Sequence, residues 1–195
     1  MGFLVSPYLF LHSPMMKKIL LIVLLLIVGC SKPIDDSLLI DKGGLMYLPS
    51  SDRAYTGKVY KNYKSGNKEY EGTYEDGRVE GLVTMWYQGG QKKAEQKFQS
   101  GEIDGLGVTW YVNGQKKSEQ YFEGDKLVGL STLWYENGQK KEEGIGNDGK
   151  LDGLWTWWYE NGQKKEEKNY NNGKLIDEKS WDTDGTLKDQ KQPLK

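Results

Sequence analysis

The stretch GLWTWWYENGQKKEEKNYNNGKLID (residues 153–177) sets the pattern for most of this chain. Moved back by 24 residues, it falls on GLSTLWYENGQKKEEGIGNDGKLDG (residues 129–153), and the frame continues without a gap to Gly57. The units are residues 57–80, 81–104, 105–128, 129–152 and 153–176. Repetition at a fixed period of this length predicts a repeat architecture, in which each unit packs on its neighbours.

Each unit contains two dipeptides that are typical of tight turns. The first set is Ser65-Gly66, Gly89-Gly90, Asn113-Gly114, Asn137-Gly138 and Asn161-Gly162, and the second is Asp76-Gly77, Ser100-Gly101, Gly124-Asp125, Asp148-Gly149 and Asn172-Gly173. Such dipeptides favour two-residue type I′ turns between antiparallel strands. We therefore expect an all-β fold of about eleven strands of about 7–10 residues, between Tyr55 and Trp181. Joined in sequence order, they would form an open, twisted, single-layer antiparallel meander of 24-residue hairpins.

Side-chain alternation along these strands predicts two different faces. On one face we expect Leu82, Thr84 and Trp86 with their equivalents in later units, and on the other the tyrosine that follows each tryptophan. A two-residue loop would place each tryptophan opposite the second lysine of the QKK run and each tyrosine opposite the first. The candidate binding surface consists of Trp86, Trp110, Trp134, Trp158, Tyr87, Tyr111, Tyr135 and Tyr159, because Trp and Tyr are favoured at binding hot spots.

The ends of the chain depart from the repeat. Residues 45–56 and 177–185 are partial copies within a repeat domain that we place at residues 45–185. Degenerate terminal copies are expected to protect the open edges of a sheet. Residues 30–44 look like a tether, since Pro33 and the Asp35-Asp36 pair disfavour a helix or strand. We expect residues 186–195 to be a frayed tail.

The N-terminal segment has the layout of a secretory signal over residues 1–29. Lys17 and Lys18 precede a short apolar run, which ends at Ile27-Val28-Gly29-Cys30. That ending resembles the lipobox of bacterial lipoproteins, in which the cysteine becomes the lipidated N-terminus; the alternative is an uncleaved anchor with a free Cys30. Residues 1–14 are either an extension upstream of the true start, at Met15 or Met16, or a longer n-region.

Composition excludes several classes of function. The formal net charge is −1, with Lys and Glu closely interleaved, so nucleic acid is not an expected partner. The single cysteine, Cys30, rules out an intrachain disulfide, and the single histidine, His12, lies in the segment expected to be removed. No catalytic residue, metal site or small-molecule cofactor is predicted, and the paired glutamates Glu142-Glu143 and Glu166-Glu167 are interpreted as solvated charge ladders.

The repeat unit resembles the MORN repeat variant, as found in YwqK-type antitoxins of bacterial toxin–antitoxin systems, over roughly residues 45–185. The opening YLPSSDRAYTGKV (residues 47–59) is also similar to the start of those proteins. The resemblance implies no catalytic residues. An exported, lipidated copy would depart from a cytoplasmic antitoxin.

These observations predict a non-enzymatic lipoprotein of the bacterial cell envelope, anchored through Cys30, that acts as a scaffold for protein–protein interaction. Immunity against a toxin is a special case. Ser31 after the cysteine favours the outer membrane if the cell has two membranes. Two alternatives are a module that binds envelope carbohydrate or peptidoglycan, and a module that binds lipid head groups.

Overall fold

The computed structural model describes residues 32–191, so the predicted signal segment and Cys30 lie outside the described residues. The strands are β1 (Ile34–Asp35), β2 (Ile40–Asp41), β3 (Met46–Tyr47), β4 (Gly57–Asn62), β5 (Lys68–Glu75), β6 (Arg78–Trp86), β7 (Lys92–Gln99), β8 (Glu102–Trp110), β9 (Lys116–Glu123), β10 (Lys126–Trp134), β11 (Lys140–Asn147), β12 (Lys150–Trp158), β13 (Lys164–Asn171), β14 (Lys174–Trp181) and β15 (Leu187–Lys191). A single turn of 3₁₀ helix (Asp36–Leu38) follows β1. No α-helix occurs between residues 32 and 191.

One sheet of thirteen strands carries the repeats. Its order is β1-β4-β5 and then each strand in sequence to β15, while β2 and β3 form a separate pair. Every pairing from β4 to β15 is antiparallel, whereas β1 pairs with β4 in parallel. The predicted all-β, open antiparallel meander is confirmed, with eleven strands, β4 to β14, in the expected range.

The two sets of turns differ from each other. In the second set both central residues have positive φ, as at Asp148 (49°) and Gly149 (77°), so the predicted two-residue type I′ turns are confirmed there. In the first set only the glycine has positive φ, for example 84° at Gly162. The Gly162 N–H donates to the Tyr159 carbonyl, and the Tyr159 N–H donates to the Gln163 carbonyl. This is a three-residue loop with a glycine bulge, so the prediction of a two-residue loop is wrong for this set.

The longer loop changes the partner of each tryptophan. The body of each hairpin keeps the predicted register, as in Thr84 opposite Glu95. Beside the loop the register shifts, and Trp86 lies opposite Lys92, the first lysine of the run. The equivalent pairs are Trp110–Lys116, Trp134–Lys140 and Trp158–Lys164. The predicted pairing of tryptophan with the second lysine is therefore wrong. The second lysine, such as Lys93, is the extra residue at this register shift and has no residue directly opposite it.

A second irregularity recurs at the first glycine of each unit. Gly81, Leu82 and Val83 together lie opposite the single residue Gly72. The glycine at this place has positive φ in all four units concerned: 75° at Gly81, 110° at Gly105, 69° at Gly129 and 65° at Gly153. A bulge of this kind re-aims the residue beside it. It leaves the leucine that follows each of these glycines prominent on the sheet surface.

One part of the core, which we call the core row, is a row of residues that crosses the sheet; Val108, Thr84, Thr132 and Thr156 are buried outside it. It passes from strand to strand through Val59, Gly72, Val83, Gln96, Gly107, Gln120, Ser131, Gly144 and Trp155. Large residues in this row cover the glycines beside them, which is how a single-layer sheet buries side chains. Val59 and Trp155 are each 2% exposed, and Ser131 is 1% exposed.

Both ends of the described chain are more ordered than the sequence predicts. The predicted tether contains β1 and the 3₁₀ helix, and the Asp35 carboxylate accepts a hydrogen bond from the Ser37 N–H. Asp35 thus caps the 3₁₀ turn, of which Asp36 is the first residue. Part of the predicted frayed tail forms β15, which pairs with β14. The reason is that β14 offers an unpaired edge, which a further strand can satisfy.

Candidate binding surfaces of the sheet

The predicted tryptophans form a regular ladder with lysines and glutamates. The first lysine of each QKK run pairs with the glutamate three residues later, at 2.6 Å for Lys92–Glu95, and also lies over the tryptophan of the next unit. The distances from Nζ to the ring centre are 5.0 Å for Lys68–Trp86, 5.4 Å for Lys92–Trp110, 5.8 Å for Lys116–Trp134 and Lys140–Trp158, and 5.9 Å for Lys164–Trp181. One face of each indole ring is therefore covered by an ammonium group of the same sheet.

The predicted tyrosines join neighbouring units. Each hydroxyl donates to the main-chain carbonyl of the tryptophan in the next unit: Tyr87 to Trp110 and Tyr111 to Trp134 at 2.8 Å, Tyr135 to Trp158 at 2.7 Å, and Tyr159 to Trp181 at 3.0 Å. The second lysine of each run lies over the tyrosine ring of its own unit, at 5.6–5.9 Å. Burial, and then the charges of Glu136 and Glu160, raise the pKa of Tyr111.

Asparagines add a second link at the same edge. The side-chain amide of Asn137 donates to the Glu160 carbonyl in the next unit, and its Oδ1 accepts from the Gln139 N–H. Asn113 and Asn161 make the equivalent pairs of bonds. The predicted binding residues thus take part in contacts that hold successive units in register. A carbohydrate site built on these rings would need ring faces open to a sugar, and the lysines already occupy one face of each.

A surface that the sequence analysis did not single out is more exposed. It consists of Leu82 (55% exposed), Leu106 (48%), Tyr121 (45%), Leu130 (59%), Ile145 (51%) and Leu154 (55%), which we call the apolar stripe. Leu106 lies directly opposite Tyr121, and Leu130 opposite Ile145. Lys97 and Asn169 are the partners of Leu82 and Leu154 at the two ends. The stripe therefore crosses the strands from β6 to β12, a distance of roughly 29 Å.

The signal for this stripe was present in the sequence, since a leucine follows the first glycine of each unit from Gly81 onward. Alternation alone places that leucine on the face of Thr84, as predicted. It cannot show that Thr84 is 8% exposed while Leu82 remains open to solvent. The difference in exposure arises at the bulge formed by the first glycine of the unit, here Gly81, and this bulge depends on how neighbouring strands pair.

The charged groups near the stripe carry both signs. Glu95, Glu119 and Glu143 are paired with lysines. Exposed Lys126 and Asp148 pair at 2.6 Å, which raises the pKa of the lysine and lowers that of the aspartate. In residues 32–191, no group of three or more His, Cys, Asp or Glu side chains could hold a metal ion. The same residues contain no helix long and apolar enough to cross a bilayer.

Comparison with known proteins finds a repeat family that matches part of this sheet. No curated protein matches the chain. The family described as the MORN repeat variant matches residues 127–148 and 151–172. These two matches cover the hairpins β10–β11 and β12–β13, whose bulges, tyrosine bonds and lysine ladder recur in the units before them. The chain therefore contains two MORN repeat variants within a longer sheet of the same architecture. Repeats of this type suggest a binding scaffold.

Proposed function

We propose that this protein is a non-enzymatic scaffold that binds another protein through the apolar stripe. The stripe is the observation that carries the proposal. Its six large apolar side chains are each about half exposed, and they lie on β6 and on every strand from β8 to β12. Contiguous exposed apolar surface with a polar rim is typical of interaction sites. The lysine–glutamate pairs beside the stripe provide that rim.

We further propose that the scaffold is held at the bacterial cell envelope by lipid on Cys30. This rests on the apolar run and the lipobox-like ending of residues 19–30. Neutralisation of a toxin is one role that such a scaffold could serve, because the repeat resembles those of antitoxins. The lysines over the tryptophan rings weigh against the alternative of an envelope carbohydrate site.

The binding proposal is tested by placing a photo-crosslinking amino acid at position 130, in the full chain in living cells. A control chain carries it at Lys150, which is exposed outside the stripe. We expect a discrete protein adduct from position 130 that is absent from position 150. The adduct should be lost when Leu106 and Leu154 are both replaced by Asn. Adducts of equal yield from both positions, or co-sedimentation with peptidoglycan and no adduct, would contradict the proposal.

The anchoring proposal needs a separate experiment. The full chain should incorporate an alkyne-labelled fatty acid in living cells, Cys30→Ala should abolish that incorporation, and Ser31→Ala, its matched neighbour, should not. Equal incorporation of the fatty acid by the Cys30→Ala chain, or none by the original chain, would contradict the proposal.

A further inference from the structure

The Asn-Gly pairs of the chain differ in how their asparagine side chains are held. They are residues 113–114, 137–138, 161–162 and 172–173. The first three lie in the first set of turns, where both ends of the side-chain amide are bonded. The Asn137 amide nitrogen donates to the Glu160 carbonyl at 2.8 Å, and its Oδ1 accepts from the Gln139 N–H at 3.0 Å. Asn113 and Asn161 make the same two bonds at 2.7–3.0 Å.

The fourth asparagine, Asn172, lies in the second set of turns, and its side chain is free. Its main-chain N–H donates to Asp152 Oδ1 at 3.0 Å, but its side-chain amide makes no hydrogen bond within residues 32–191. The glycine N–H does not distinguish the four turns, because it donates to a main-chain carbonyl in each: Gly173 to Leu151 at 2.8 Å, and Gly114, Gly138 and Gly162 to Tyr111, Tyr135 and Tyr159 at 2.9 Å. The difference between the turns is therefore in the asparagine side chain.

An asparagine that precedes glycine is chemically reactive, because the unhindered glycine nitrogen can attack the side-chain carbonyl. This nitrogen forms a bond to Cγ and loses its proton, the Cγ–Nδ2 bond breaks, and ammonia leaves, which closes a five-membered succinimide ring. Water then opens the ring at Cγ to give aspartate, or at the main-chain carbonyl to give isoaspartate. The first step requires the side chain to turn towards the glycine nitrogen, so hydrogen bonds at both ends of the amide oppose it.

A lysine lies beside the place where the new carboxylate would form. At the equivalent turn one unit earlier, Asp148 pairs with Lys126 at 2.6 Å. Lys150 stands 24 residues after Lys126 and passes its turn in the same way. A Cβ at Gly173 would be 3.5 Å from Lys150 Cβ, and a Cβ at Gly149 would be 3.7 Å from Lys126 Cβ. An aspartate formed in the later turn therefore has an ammonium group within reach.

We propose that Asn172 is a deamidation site of the folded protein, and that the aspartate formed there pairs with Lys150. The reaction adds one negative charge at the turn between β13 and β14. The other three Asn-Gly pairs are protected, because the next unit and their own loop hold both ends of the amide.

The experiment incubates the full chain in a nonionic detergent and mildly alkaline buffer, and follows each Asn-Gly peptide by mass spectrometry over several weeks. We expect Asn172 to convert about tenfold faster than the other three asparagines, because two hydrogen bonds must break at each of those. The control is the same incubation in urea, where all four peptides should convert at similar rates. The proposal is overturned if Asn172 converts no faster than the others in the folded chain, or if its lead persists in urea.

The ion pair is tested with two variants, after circular dichroism has shown that the fold is kept. Asn172→Asp reproduces the product and should shift the side-chain ammonium signal of Lys150 in nuclear magnetic resonance of nitrogen-15 lysine, with Lys150→Arg to assign that signal. Asn172→Ser is the neutral control, since Ser100 occupies the equivalent place with a φ of 52°. Equal signals of Lys150 in the two variants would overturn the pairing.

Discussion

Replacement of Trp155 by Ala should be among the most destabilising single changes in the sheet. The ring is 2% exposed and covers Gly144, and its N–H is bonded to the Ile145 carbonyl. A tryptophan side chain buries about 200 Å², which corresponds to about 5 kcal/mol at ~25 cal/mol per Å². The lost hydrogen bond adds about 1 kcal/mol, and partial collapse around Gly144 recovers some of the total. We expect a net loss of about 4 kcal/mol in the free energy of unfolding.

Trp158→Ala is the matched control on the same strand. This ring is half-buried, and its main contact is with Lys140. We therefore expect Trp158→Ala to lower the free energy of unfolding by about 2 kcal/mol. Urea denaturation of the full chain, followed by circular dichroism, would compare the two. Because each repeat contacts only its neighbours, hydrogen exchange should show the loss of protection by Trp155→Ala concentrated in β11 to β13. A loss below about 1 kcal/mol, or equal effects of both variants, would refute the account of the core row.

Three further predictions test the links between units and the bulge. Tyr135→Phe removes the bond to the Trp158 carbonyl and should cost about 1 kcal/mol in thermal or chemical denaturation, while Tyr121→Phe, whose hydroxyl makes no such bond, should be neutral. Gly153→Ala should cost about 1 kcal/mol in the same assay, from backbone strain alone, because φ is 65° and a Cβ there would meet no atom within 4 Å. Burial is the first cause that raises the pKa of Tyr111 and Tyr135, so the folded state holds these protons longer than the unfolded chain. Stability should therefore fall as the pH rises above about 10, which tyrosinate absorbance and circular dichroism would follow together, and unchanged stability at pH 11 would contradict it.

The repeat period, the strands and half of the turns could be read directly from the sequence. Asp-Gly and Asn-Gly impose local backbone geometry, so the type I′ turns at residues 148–149 and 172–173 were predictable. The body of each hairpin followed, as in Thr84 opposite Glu95. The first set of turns uses similar dipeptides but forms a three-residue loop, which is closed by main-chain bonds of the tyrosine two residues before the asparagine or its equivalent. That tyrosine receives and donates the closing bonds, and its hydroxyl is held by the next unit.

Only part of the candidate binding surface could be predicted from the sequence. The aromatic residues were visible as a pattern that recurs every 24 residues, but the lysine predicted opposite each of them was wrong. Whether they face a ligand or their own lysines depends on which strand lies beside them, and Lys92 reaches Trp110 of the following unit. The exposed leucines recur after the first glycine of each unit from Gly81 onward, but a leucine in a strand is ordinarily interpreted as core, so the repeat alone does not indicate that they are exposed.

The sequence by itself determined the period, the all-β class, the meander order and the near balance of charge, since these depend on local backbone preference and composition. The tertiary structure decided which apolar residues are buried. Trp155 is buried because Gly144 on the adjacent strand has no side chain, and Leu154, its immediate neighbour, is exposed because the bulge at Gly153 turns it outward. Burial in a single-layer sheet is a property of pairs of strands, so no single strand of this sequence could specify it.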